Sequence, residues 1–367
     1  EGSRALLYLT EGKVRETARI GAELVVVAEA LHGRRSVSAS VTATTLGDAY
    51  YELDRIEEAR ELLANRARLV MQASMPPVML SAALVTARLD SLHAAPEAVL
   101  GFLEAQAAHY QGLGLHRLVA WMQAEQVRML LKAGQKVRAA GVMARLDELD
   151  TLHRHADGVR AEIPAVAALA RARIALAAND PNGALSALPP AREHARQYGR
   201  ARMQVVEHLL AALALDDLKR VDETSGRLVD ALRIASRFGL LRTLLDEGPR
   251  AGALLAGVRG DARLDEAASA HLDDLLSRMR TAGGSPAPLC GRDSRGGSVL
   301  PDGVSLTPRE LEILGLIAPA MTNKRIALTL HISLDTVKWN VRNILTKLDL
   351  SSRYDAMSWA RKQGLIE

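Results

Sequence analysis

The stretch "LGDAYYELDRIEEAREL", Leu46–Leu62, decides the fold. An apolar helix runs into a short polar turn, and a second helix opens on a small residue, Ala59. The same phrase recurs as "LLYLTEGKVRETA", "ARLDSLHAAPEAVLGFL", "VRMLLKAGQKVRAAGVM", "ARIALAANDPNGALSAL" and "LALDDLKRVDETSGRLV". Thr17, Ala59, Ala98, Ala139, Ala184 and Thr224 mark the small position after each turn, at intervals of 39 to 45 residues. A small side chain there lets the two helices of a hairpin approach closely, because interaxial distance follows what sits at the crossing. Self-similarity at such a period points to stacked helix hairpins.

The pattern resembles tetratricopeptide repeats. Leu46, Gly47, Tyr50 and Ala59 stand where that motif has its Leu, Gly, Tyr and Ala. The period is nearer 40 than the usual 34, and the later units are degenerate. An irregular helical bundle is the alternative. Either way the fold class is all-α.

Composition agrees. The chain of 367 residues exceeds one ordinary domain, and hydrophobic residues make up 48% of it while aromatics are only 3%. Alanine and leucine therefore do most of the packing, and few segments alternate with the period of two that marks strands. A formal charge of +4 is mild. The single cysteine, Cys290, excludes an internal disulfide framework and a cysteine-cluster metal site. No apolar run approaches the roughly 20 residues that cross a bilayer. The start, "EGSRALLYLTEGK", has neither an initiator Met nor a signal-peptide pattern and opens partway through a helical pattern, as a fragment of a longer protein would. A reducing cytoplasm, with the nucleoid as working site, is the expected location.

Three segments follow from the break at "TAGGSPAPLCGRDSRGGSVLPDGV", which is rich in Gly, Pro and Ser: a helical-repeat domain over 1–280, a linker over 281–304 and a small domain over 305–367. In the small domain, Thr307, Pro308 and Glu310 form a capping box ahead of "LEILGLIA", with Leu311, Leu314 and Ile317 as the buried stripe and Ile313 and Ala318 beside it. Thr322 caps "NKRIALTL", where Ile326, Ala327 and Leu330 face in. Ser333 caps "LDTVKWNVRNILTKL", and Ser352 with Asp355 opens a last helix that stops near Gly364. Two helices joined by a tight turn and flanked by two more describe a helix-turn-helix. In the third helix Val337, Val341, Ile344, Leu345 and Leu348 form the core stripe. Lys338, Trp339, Arg342 and Asn343 therefore share the opposite surface. Such a mixture suits a duplex major groove: cations meet phosphate or guanine, amides read adenine, and an apolar plate lies against thymine methyls. A plain solvated face is the bland alternative.

"LTPRELEIL", "TNKRIALTLHIS", "DTVKWNVRNILTKL" and "SSRYDAM" together resemble the LuxR-type helix-turn-helix across Leu306 to Leu365. The resemblance implies that Lys338, Trp339 and Arg342 enter the major groove and that Lys324, Thr336 and Asn343 lie near phosphates. Asn340, where histidine is common, joins the candidate DNA-binding set. It also implies a homodimer on DNA through Tyr354, Ala356, Met357 and Trp359. For Trp359, completion of the small domain's own core is the equal alternative. Pro319-Ala320 and Asp349 depart from the family's usual acidic-glycine pair and glycine.

Repeats, linker and LuxR-type domain together look like the C-terminal part of MalT-like regulators. The implied function is a transcriptional regulator, expected to be an activator, whose repeats receive a small-molecule inducer or a protein partner and control binding to double-stranded DNA. RNA polymerase is a further candidate partner, and no membrane is implied. Stacked hairpins line a concave groove with the first helix of each unit, so Tyr50, Arg88, Gln123, Arg128 and Arg173 are the candidate effector residues. The rival class is a scaffold that uses its helix-turn-helix for protein contacts. No G-x-x-x-x-G-K-[ST] loop occurs, "HRH" at His153–His155 reads as a solvated turn, and Cys290 lacks a neighbouring base. An enzyme, a cofactor and a metal are therefore not expected.

Overall fold

A computed structural model describes residues 2–282 and, further on, 313, 314, 316, 317, 321–329, 337, 341, 344, 345, 350, 352, 355, 356 and 359. The chain divides into two units, residues 1–286 and 287–367. All regular structure among the described residues is helical. No helix there is long and apolar enough to cross a membrane.

The first unit is built from six hairpins with extra helices between them. They pair α1 (Gly2–Glu11) with α2 (Val14–His32) and α3 (Val37–Glu52) with α4 (Ile56–Leu63). After α5 (Ala67–Ala73) come α6 (Pro76–Asp90) with α7 (Pro96–Gly112), then α8 (His116–Lys132) with α9 (Lys136–His153). α10 (Glu162–Ala177) pairs with α11 (Pro181–Ala187). Following α12 (Pro189–Gln197), α13 (Ala201–Asp217) pairs with α14 (Val221–Phe238). Three helices finish the unit: α15 (Arg242–Leu245), α16 (Pro249–Gly257) and α17 (Glu266–Ala282). Helices α5 and α12 account for part of the long repeat. Thr281 and Ala282, assigned to the linker by composition, are the last two residues of α17. The rest of that segment, Cys290 included, lies outside the described residues, as do the capping residues Thr307, Pro308, Glu310 and Ser333.

One local device makes five of the hairpins. Gly12, Asp54, Gly134, Asn179 and Lys219 adopt positive φ of 59° to 85°, each two residues before the second helix begins. The amide after each of them donates back across the turn: Lys13 to Tyr8, Arg55 to Tyr50, Gln135 to Leu130, Asp180 to Ala175 and Arg220 to Leu215, at 2.8–2.9 Å. This left-handed closure ties off the orphan carbonyls of the first helix. The buried small residue is then the fourth of the second helix: Thr17, Ala59, Ala139, Ala184 and Thr224. Ala98 is the exception, being exposed. The α6–α7 turn lacks the left-handed residue, and the fourth position of α7 is Val99, which is buried. The alanine ahead of it is one residue out of register. At α3–α4 the crossing is tight, because a Cβ on Gly47 would stand 2.1 Å from Leu63 Cδ1.

The array does not stay open. Leu9, Val14, Ala18, Leu46 and Ala49 from α1–α3 share one core with Ala201, Val205, Leu209, Leu232 and Leu272 from α13, α14 and α17. A second core runs from Tyr51 through the middle hairpins to Ala214. Gly12 accepts the approach of Ala201, whose Cβ would lie 3.0 Å from a Cβ added there. Polar bonds line the same closure: Arg15 Nη1 donates to Ser236 O at 2.9 Å, Arg202 Nη2 to Asp48 Oδ1 at 2.8 Å and the Leu241 amide to Glu52 O at 3.2 Å.

The second unit has its own core of Ile313, Leu314, Ile317, Ile326, Ala327, Val337, Ile344 and Ala356, with Val341, Leu345 and Trp359 packed at its edge. These include most of the residues expected inward. Leu311, Ala318, Leu330 and Leu348 lie outside the described residues.

Ala59 is fully buried at the tight α3–α4 crossing. Ala59→Leu is expected to destabilise the unit by about 1–3 kcal/mol through overpacking, read as a lower midpoint in urea. An unchanged midpoint would show that α3 and α4 cross with room to spare.

Candidate functional site

In the second unit, a helix spans Asn323–Thr329. Thr322 precedes it, and its Oγ1 accepts from the Arg325 amide at 3.4 Å, as an N-cap does. Lys324, on the first turn, is exposed. Ser352 Oγ accepts from the Asp355 amide at 3.2 Å and donates to Asp355 Oδ2 at 2.7 Å, which starts the last helix. Ala356 is fully buried in the unit's own core, and Trp359 is partly covered by it. Thr336, Lys338, Trp339, Asn340, Arg342, Asn343, Tyr354 and Met357 lie outside the described residues.

In the first unit, the first helix of every hairpin faces a common interior. Side chains spaced three or four apart on α6, α8 and α10 (Leu80, Leu84 and Arg88; Trp121, Glu125 and Arg128; Leu169 and Arg173) line a cavity of about 180 Å³. Leu6 and Leu9 of α1, Asp48 of α3, and Arg202, Met203 and Val206 of α13 complete it, with Asp246 and Glu247 after α15. Three of the five groove candidates, Arg88, Arg128 and Arg173, come together here. Tyr50 does not: its ring is half-buried under the Arg55 guanidinium, 3.7 Å from the ring centroid. Gln123 is buried and faces a separate depression between α7, α8 and α9, next to Gln126 and Arg145. Sequence reading missed Arg117, Arg200, Arg202 and Glu125. For Glu125 the signal was a charged residue inside an otherwise apolar helix, whereas Arg117, Arg200 and Arg202 sit at or just before helix starts.

The polar wall is a network of compensated charges. Glu125 is 4% exposed and takes the guanidiniums of both Arg88, at 3.3 Å, and Arg128. Burial alone would raise its carboxyl, but Arg128 and Arg88 overcome this and hold it well below the usual carboxylate range. Asp246 accepts from Tyr51 Oη and from Arg242 Nη2, both at 2.7 Å, and Arg128 Nη1 donates to its backbone carbonyl at 3.1 Å. Burial pushes it up, and Arg242, Arg128 and Arg88 bring it below its ordinary value. Tyr51 moves the other way, well above 10, because it is buried and faces Asp246. Arg117 pairs with Glu162, and Arg173 with Glu247. Glu52, 1% exposed, accepts from the Thr243 amide at 2.7 Å. Burial raises its carboxyl despite Arg202 at 3.4 Å.

The histidine turn differs from expectation. His153 is buried, not solvated, because its Nε2 lies 2.8 Å from His116 Nδ1 across α8 and α9. Burial and the facing His116 keep its pKa low. His155 is exposed. Among the described residues no group of three His, Cys, Asp or Glu is placed to hold a metal.

Residues 304–360 match the family described as "Bacterial regulatory proteins, luxR family", so the C-terminal unit carries a domain of that family. The transcriptional regulatory protein LiaR of Bacillus subtilis (strain 168) is 37% identical over 116 residues, covering 32% of this chain and 47% of LiaR. The response regulator protein VraR of Staphylococcus aureus (strain Mu3 / ATCC 700698) is 47% identical over 62 residues, covering 17% of this chain and 30% of VraR. The chain spans less than half the length of these curated relatives. No solved structure matches it.

The cavity wall sets a pH dependence. Glu125 and Asp246 have depressed pKa values in the folded state, so their stabilisation is present above the unfolded carboxylate value, about 4, and is lost as pH falls through the folded values. Glu52, shifted upward, works in the opposite sense. Glu125→Gln is expected to cost about 3–5 kcal/mol at neutral pH, because it strands Arg88 and Arg128, and to flatten the acid limb of denaturant-measured stability. An acid limb as steep as that of the parent chain would remove Glu125 from this role.

Proposed function

We propose that this chain is a DNA-binding transcription regulator of MalT-like organisation, with a tetratricopeptide-like unit that receives a small effector or a protein partner and a LuxR-type domain that binds double-stranded DNA as a homodimer. The match of residues 304–360 to the luxR family carries the reading. Relatives named as a transcriptional regulatory protein and a response regulator support it. So does the core of the C-terminal unit. Val337 and Ile344 are buried and Val341 and Leu345 lie at the edge, and in the helical period of the sequence Lys338, Trp339, Arg342 and Asn343 fall between them.

In this reading Lys338 and Arg342 contact guanine or phosphate, Trp339, Asn340 and Asn343 fill the groove contact, and Thr336 and Lys324 touch the backbone. Tyr354, Met357 and Trp359 carry the protomer contact, which sets half-sites about one helical turn apart. Ala356, buried in the unit's core, supports that surface from beneath. RNA polymerase is the partner an activator would recruit. The effector acts by binding one conformation of the chain more tightly than another, since equal affinity for both shifts nothing. The cavity in the helical unit is the place for it. The cytoplasm, at the nucleoid, is the matching location.

The test is fluorescence anisotropy of the full chain with duplex DNA selected from a genomic pool, across a salt series. Affinity should fall steeply with salt, and Lys338→Ala and Arg342→Ala should each weaken binding by about 1–3 kcal/mol. Binding that survives both substitutions with an unchanged salt slope would sink the groove reading and favour the scaffold.

A further inference from the structure

The cavity in the helical unit has a chemistry of its own, and a ligand assigned to it rests on the reading of that unit as an effector receiver. Its volume of about 180 Å³ is a little above the roughly 150 Å³ that admits a benzene-sized molecule in an apolar protein interior. A folded peptide or a nucleic acid is too large. Leu80, Leu84, Trp121, Met203 and Val206 give it an apolar lining. Among its charged lining residues the guanidiniums outnumber the carboxylates, six to five.

One of these guanidiniums has no carboxylate partner among the described residues. Arg88 and Arg128 share Glu125, Arg117 has Glu162, Arg173 has Glu247, and Arg202 has Asp48. Asp246 is engaged by Arg242, from outside the cavity. Arg200 is left, and among the described residues the one hydrogen bond of its guanidinium runs from Nη1 to the carbonyl of Thr10, at 3.2 Å. Its Nε–H is buried without a partner, and so is the indole N–H of Trp121, another lining residue. Unpartnered buried donors are uncommon, and both of these ask for an acceptor. A guanidinium with an open edge takes a carboxylate in preference to a neutral acceptor.

We infer that the cavity binds a small monoanion with an apolar body, a molecule of the size and kind of an arylacetic acid, its carboxylate held by Arg200 and its ring against Trp121 and Leu84. The body displaces the cavity's solvent, and the carboxylate meets the lining guanidinium that has no carboxylate of its own among the described residues. Neutral sugars are disfavoured, because they leave the cation and the apolar wall without matching partners.

The experiment is isothermal titration calorimetry of the full chain at neutral pH with phenylacetate and with phenylacetamide, its neutral counterpart of nearly equal shape. Phenylacetate should bind with one site per chain, about tenfold or more tighter than the amide. Arg200→Gln should abolish that preference and Arg200→Lys should keep most of it, with melting curves confirming that both variants fold. Equal binding of the two compounds, no binding of either, or a preference unchanged in Arg200→Gln overturns the inference. DNA affinity measured on Leu84→Trp, which fills the cavity, separates the two readings. If Leu84→Trp shifts DNA binding while phenylacetate does not bind, the ligand class is wrong and the effector reading stands. If phenylacetate binds through Arg200 and DNA affinity responds to neither change, the site stands as inferred and its link to DNA does not.

Discussion

The end of helix α3 is where the first unit is held together. Asp48, Tyr51 and Glu52 occupy its last two turns, and each is buried. A carboxylate or a phenol withdrawn from water must find partners, or it costs several kcal/mol. All three find theirs far along the chain: Asp48 with Arg202, Tyr51 with Asp246, and Glu52 with the amide of Thr243. Those bonds place α13 and α15 against α3, and the apolar contacts of α1 and α2 with α14 and α17 follow from that placement. The cavity exists because the first helices of successive hairpins are drawn around a shared interior.

What the sequence disclosed and what it withheld divide along chain distance. The hairpins were readable because their causes are local: a left-handed residue at Gly12, Asp54, Gly134, Asn179 or Lys219, and a small residue at the fourth position of the next helix. Where the local device is missing, at α6–α7, the pattern points one residue early, to Ala98 in place of Val99. The second unit's core was readable for the same reason, from short capped helices with a period of 3.6 and few inward positions. Closure of the array was not readable, since nothing near Asp48 announces Arg202. His153 followed suit: its neighbour in space is His116, on the preceding helix.

The candidate effector residues show the same split. Their place on the first helix of a hairpin marked Arg88, Arg128 and Arg173 as candidates, and all three line one cavity. Sequence could not say that Glu125 neutralises two of them or that Arg200 is left without a carboxylate, because charge balance is a property of the assembled wall. Tyr50 and Gln123 stand out on the same grounds and lie elsewhere. Their helices face the interior, but their own positions on those helices do not.

Stacked-hairpin proteins usually behave as one-dimensional chains of modules, each stabilised by its immediate neighbours and free to fray from either end. Here the end modules cover one another. Thr10 and Arg200 are bonded across 190 residues of chain, so no terminal repeat can peel away without breaking contacts that belong to the opposite end. Such an arrangement couples segments that share no neighbours, and it makes the unit assemble late, after a long loop has closed. A molecule seated in the interior touches first helices from α1 to α13 at once. It would therefore act on the whole ring as a single body and not on one repeat.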